Sequence, residues 1–186
     1  MAENNFGVAL AARGEPDLAA QHFAAAVKYS PDLASGHYNL AIYLQRHNRL
    51  DQAEHEYLTA LALSTDETEI VQSHNNLGIL YLGENKYAAA LKELSAAIAL
   101  DPHEQNSYIG RGTVELHLMN LDAAAADFAK AAQIAPTPLA LYWLGRGLEA
   151  KGETQKAADA YEAALRLAPG MADAQARLAA LQAQSH

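Results

Sequence analysis

Apolar residues recur along this chain at helical spacing, and one such pattern is written five times. Aligned on a small residue, the copies start from Gly7, Ala41, Gly78, Gly112 and Gly145. Twelve positions after each stands an alanine: Ala19, Ala53, Ala90, Ala124 and Ala157. Four further on comes a large apolar side chain, Phe23, Tyr57, Leu94, Phe128 or Tyr161. Three more positions bring a second alanine, Ala26, Ala60, Ala97, Ala131 or Ala164. The copies close at Pro31, Thr65, Pro102, Pro136 and Pro169, and the small residues lie 34, 37, 34 and 33 apart.

Periodicity and breakers predict two helices per copy. First helices fall at about 2–12, 34–46, 68–82, 105–118 and 138–151. Second helices fall at about 17–29, 51–63, 87–100, 122–134 and 154–167. Gly14, Asn48, Asn85 and Gly152 occupy the turn inside a pair, where a left-handed residue ends the first helix. Met119 holds that place in the fourth copy with Asn120 beside it, which points to a turn shifted by one residue. Each closing proline lacks an N–H and turns the chain. Thr65 replaces it once, among overlapping capping boxes, Ser64 to Glu67 and Asp66 to Glu69. The three extra residues there read as about one added helical turn, or else as a loop insertion. A last amphipathic helix over 171–184, with Leu178 and Leu181 on its apolar side, has no partner and is expected to cover the final copy.

The period and the residue code together resemble the tetratricopeptide repeat, a helix–turn–helix unit. The resemblance covers nearly the whole chain. It implies an all-α solenoid, a right-handed superhelix of antiparallel helix pairs, with five repeats plus a C-terminal capping helix in one array over residues 1–186. The repeats fall at about 1–33, 34–70, 71–104, 105–137 and 138–171. The first repeat lacks a cover, which suggests an array cut from a longer chain.

Composition narrows the partners. Hydrophobic residues make up 51% of the chain, much of it alanine, which favours helix and close helix approach. A formal net charge of −9, without a block of lysine or arginine, weighs against nucleic acid and anionic membrane surfaces. No stretch is long and apolar enough to enter a bilayer, and no signal segment opens the chain. A soluble protein is expected, cytoplasmic by preference, or periplasmic as part of a larger membrane protein. The absence of cysteine removes thiol catalysis and disulfides.

Catalytic motifs are missing. There is no nucleotide-binding glycine fingerprint, Walker loop or HExxH, so neither enzyme activity, metal nor cofactor is expected. His37 and His74 hold equivalent places four before Ala41 and Gly78, and read as helix-packing residues rather than metal ligands. Arg111 and Glu115, four apart, are expected to pair on one helix.

The resemblance also implies that first helices line a concave groove. Two before each small residue stand Asn5, Asn39, Asn76, Gly110 and Trp143. Three before stand Asn4, Tyr38, Asn75, Ile109 and Tyr142, and one after stand Val8, Ile42, Ile79, Thr113 and Arg146. Asn5, Asn39 and Asn76 form a series similar to the asparagine ladder of the O-linked N-acetylglucosamine transferase repeats and of kinesin light chain. Amides can hold a peptide backbone without reading its sequence. They can equally bond neighbouring repeats, and both readings stand. Ile109, Leu116, Tyr142, Trp143 and Arg146 are expected to form an apolar and aromatic wall with one positive charge, aromatics and arginine being the residue types in which binding energy concentrates. The repeat code gives packing to Leu144 and Leu148, leaving Trp143 to face elsewhere. The pattern does not match the carboxylate clamp of chaperone-binding relatives, which needs lysine and arginine on successive first helices. The expected function is therefore a non-catalytic scaffold holding an extended peptide or partner helix. The alternative is a substrate-recruiting or regulatory domain of a larger enzyme, such as a membrane glycosyltransferase. Self-association through the first repeat is a further expectation.

Overall fold

The computed structural model describes residues 1–184, among which lie eleven α-helices and no strand. First helices are α1 (Ala2–Ala12), α3 (Ala34–Arg46), α5 (Glu67–Gly83), α7 (Gln105–His117) and α9 (Pro138–Ala150). Second helices are α2 (Pro16–Tyr29), α4 (Leu50–Leu63), α6 (Tyr87–Leu100), α8 (Leu121–Ile134) and α10 (Thr154–Leu167), followed by α11 (Ala172–Gln184).

All five inner turns have the same construction. The residue with positive φ is Gly14 (81°), Asn48 (57°), Asn85 (60°), Met119 (62°) or Gly152 (77°). The next residue's N–H then reaches back to a carbonyl in the helix: Glu15 to Leu10 at 3.0 Å, Asn120 to Glu115 at 2.9 Å, Glu153 to Leu148 at 2.9 Å. This is the Schellman closure, which satisfies carbonyls orphaned at a helix end. The fourth turn is therefore not shifted. Met119 itself takes the left-handed conformation, and its side chain is left 72% exposed.

The junction after the second repeat resolves in favour of a longer helix. α5 has 17 residues where α3, α7 and α9 have 13. Its start is capped by Asp66, which accepts from the Glu69 N–H at 2.9 Å. The Ser64-to-Glu67 box does not form: the Ser64 hydroxyl oxygen accepts from the Asp66 N–H at 3.3 Å, and its proton goes to the Glu69 carboxylate at 2.6 Å.

The repeated residue code is a packing code. Phe128 and Tyr161 have no exposed surface, and each lies against the small residue of its own first helix. A Cβ added at Gly112 would stand 2.7 Å from the Phe128 ring. The ten code alanines are all at most 2% exposed.

The helices gather into two compact lobes, Met1–Asp101 with α1–α6 and Pro102–His186 with α7–α11. In the first lobe α3 packs on α2 and α1, and α5 packs on α4 and α3. In the second, α9 packs on α8 and α7, and α11 on α10. Ala174 and Leu181 of α11 are buried in one cluster with Tyr142, Ala157, Tyr161 and Ala164, while Leu178 packs at its edge. The terminal helix thus covers the last pair, as expected.

Candidate functional site

Within the first lobe the first helices α1, α3 and α5 lie side by side and carry the asparagine series. Asn5 is exposed, and its neighbour Asn4 is buried instead. Asn4 donates to the Ser35 hydroxyl at 3.3 Å and accepts from Asn39 Nδ2 at 3.0 Å. Asn76 Nδ2 donates to the Tyr38 hydroxyl at 3.1 Å and its oxygen accepts from Asn75 at 3.2 Å. Asn39 and Asn76 therefore each tie their repeat to the one before. Asn39 still keeps its amide oxygen and one N–H without a partner among the described residues.

Beside Asn39 lies a cleft of about 220 Å³ between the α1–α2 pair and α3. Val8, Phe23 and Ile42 make its apolar lining and Arg46 its charged edge. Ile42, Tyr38 and Asn75 are half-buried, and Ile79 is 37% exposed on α5.

The second lobe brings Tyr142, Trp143 and Arg146 together on α9. The Trp143 ring stacks on Phe128 at 5.5 Å and meets Tyr142 edge-on at 5.6 Å. Trp143 is thus half-buried and shares in packing, rather than facing away from it. The Arg146 guanidinium lies 5.5 Å from the Trp143 ring centroid and donates to the Tyr142 hydroxyl at 3.3 Å. Ile109 of α7 and Tyr142 are each only 8% exposed, so both are core residues rather than open surface.

Three histidine–carboxylate pairings link first to second helices. Glu3 meets His22 at 2.6 Å, His37 meets Glu56 at 2.5 Å, and His74 meets Glu93 at 2.7 Å. His37 and His74 are therefore held inside their own repeats. Arg111 pairs with Asp127 of α8 through two bonds of 2.8 Å. The hydrogen bonds to Asp127 raise the Arg111 guanidinium further above its ordinary value. Glu115 accepts from Asn120 at 2.7 Å.

Sequence reasoning missed Arg177 of α11. It reaches Glu149 of α9 at 3.2 Å and, with Arg146, borders a cavity of about 360 Å³. Arg177 lies outside the five aligned copies, so comparing them did not single it out.

Helix pairs of this length, the turn construction and the packing code define a class of helical repeat protein. The chain belongs to the tetratricopeptide repeat family, whose models match residues 4–68, 75–137 and 138–171. A comparison with curated proteins finds no match. Among solved structures, TTC0263, a thermophilic TPR protein of Thermus thermophilus, is 24% identical over 97% of both chains, with a TM-score of 0.76. YrrB, described as a TPR protein with an unusual peptide-binding site, is 19% identical over 99% of this chain and 91% of its own, with a TM-score of 0.71. The APC/C hetero-tetramer Cut9–Hcn1 gives a TM-score of 0.86 at 18% identity, over 98% of this chain but 36% of the other. These identities bear on the fold alone.

Proposed function

We propose that the chain is a non-catalytic protein-interaction scaffold whose first-helix face holds an extended peptide. The family and fold already suggest a protein-interaction scaffold. The observation that carries the finer reading is the cleft beside Asn39. An apolar pocket takes a side chain, and the amide groups that Asn39 leaves without a partner suit the backbone that bears it. That YrrB is described as having a peptide-binding site is consistent with such a use of the fold. The net charge of −9 keeps nucleic acid out of this reading. A recruiting domain of a larger enzyme would use the same face.

Peptide display on the whole chain, followed by titration of the selected peptides, tests this. Asn39→Ala and Asn76→Ala should weaken diverse peptides alike, by about 1 kcal/mol per hydrogen bond lost. Thermal melts of the free variants separate that loss from the bonds these amides make to neighbouring repeats. Selected peptides that bind both variants as tightly as the parent would remove the asparagines from the site.

A further inference from the structure

We propose that the second lobe carries an acid-reading site, in which Arg146, with Arg177 beside it, takes the side-chain carboxylate of an aspartate or glutamate within a partner peptide. This rests on the first-helix face being the binding face.

Three arginines are half-buried among the described residues: Arg111, Arg146 and Arg177. Taking a guanidinium partly out of water is unfavourable unless its charge is answered. Arg111 is answered by the forked pair with Asp127, and Arg177 by Glu149. Arg146 has no carboxylate partner among the described residues. It has only the Tyr142 hydroxyl and the rings of Tyr142 and Trp143, at 6.0 and 5.5 Å. Those rings orient the cation without neutralising it.

The cavity of about 360 Å³ beside Arg146 holds two guanidinium groups and one carboxylate, Glu149. Glu149 is already engaged on both oxygens, by Arg177 at 3.2 Å and by the Tyr161 hydroxyl at 2.6 Å. One positive charge is left over, enough for one incoming carboxylate. It stands out on a chain whose net charge is −9. Lys151, next to the cavity residue Ala150, is taken up by Asp122 at 2.8 Å and Glu153 at 3.2 Å. Leu116, Leu121 and the exposed Met119 give the cavity an apolar border, suited to an aliphatic residue beside the acid. Arg146 stands within α9, a turn after Tyr142 and a turn before Ala150. A peptide laid along this helix continues past it, so a side chain rather than a chain end supplies the acid.

The test uses an array of capped peptides with aliphatic residues around a central glutamate, aspartate, glutamine or asparagine, probed with the whole chain. A parallel set carries a central amide and a free C-terminal carboxyl. Acid-centred peptides should bind about tenfold or more tightly than their amide twins, the scale of a hydrogen bond to a charged group. Arg146→Gln should erase that ratio and Arg177→Gln reduce it, while amide-centred peptides keep their affinity. Arg146→Lys should retain part of it, and circular dichroism confirms that each variant folds. A ratio near one in the parent, a ratio kept by Arg146→Gln, or a preference that follows the free chain end would overturn the proposal. Failure of every peptide to bind would instead overturn the first-helix face on which it rests.

Discussion

At Gly145 a single added methyl group would lie 2.5 Å from Cε1 and 2.6 Å from Cδ1 of Tyr161. That ring has no exposed surface, and its hydroxyl is fixed on Glu149, so it cannot swing aside. At Gly83, the last residue of α5, the same methyl group would meet nothing within 4 Å. Gly145→Ala should therefore lower stability by about 1–3 kcal/mol, overpacking outweighing alanine's helix propensity. Gly83→Ala should raise it by about 0.5–1 kcal/mol. Urea unfolding of the two variants settles the matter, since changes of the same sign would show that close approach is not what selects glycine at Gly145. The small-residue series was readable because one packing constraint recurs in every repeat. Partners were harder to read. Arg111 and Glu115 satisfy the spacing rule for one helix, yet Asp127, sixteen residues away on α8, offers Arg111 the forked geometry. The three histidine pairings share a spacing of 19, visible only when both helices of a repeat are compared at once.

Along the elements, helix ends were legible to within one residue because breakers and caps mark them. The exception in kind is the turn at Met119, where the left-handed residue is neither glycine nor asparagine. There the geometry of the pair imposes the conformation on an exposed side chain. The terminal helix α11 follows a different logic, since it has no partner and its attachment rests on few side chains. Leu181 is 4% exposed within the Tyr142–Tyr161 cluster, whereas Leu167 at the end of α10 is 57% exposed. Leu181→Ala should cost about 2–4 kcal/mol, from lost transfer and the cavity left behind. Leu167→Ala should stay within about 0.5 kcal/mol of the parent. Chemical denaturation followed by far-ultraviolet dichroism measures both. An unchanged midpoint for Leu181→Ala would mean that α11 lies on the last pair without stabilising it.

Over the whole molecule, three buried tyrosines make stability depend on alkaline pH. Tyr57 is pushed above the ordinary phenol value mainly by burial, then by Tyr38. Burial also dominates for Tyr81 and Tyr161, followed by the hydroxyl bonds to Glu54 and Glu149. Ionising either of the last two would set a phenolate against a carboxylate at 2.9 or 2.6 Å. In the unfolded chain these phenols titrate near 10. Above that pH the folded state holds more protons than the unfolded state, so the unfolding free energy falls as pH rises. Below it the three groups are protonated in both states and give no slope. The urea midpoint should therefore fall between about pH 9 and pH 11, beginning near the ordinary phenol value. Lys86 and Lys151, raised by their carboxylate partners, lose charge in the same direction, so the wild-type curve alone does not isolate the tyrosines. Tyr81→Phe removes one phenol and leaves both lysines, so its alkaline limb should be shallower than the parent's. Tyr57→Phe should act alike, since its hydroxyl donates to neutral Gln45 and no carboxylate is left unpaired. Limbs as steep as the parent's in both variants would clear Tyr57 and Tyr81 and leave the alkaline loss to Tyr43, Tyr161 and the lysines.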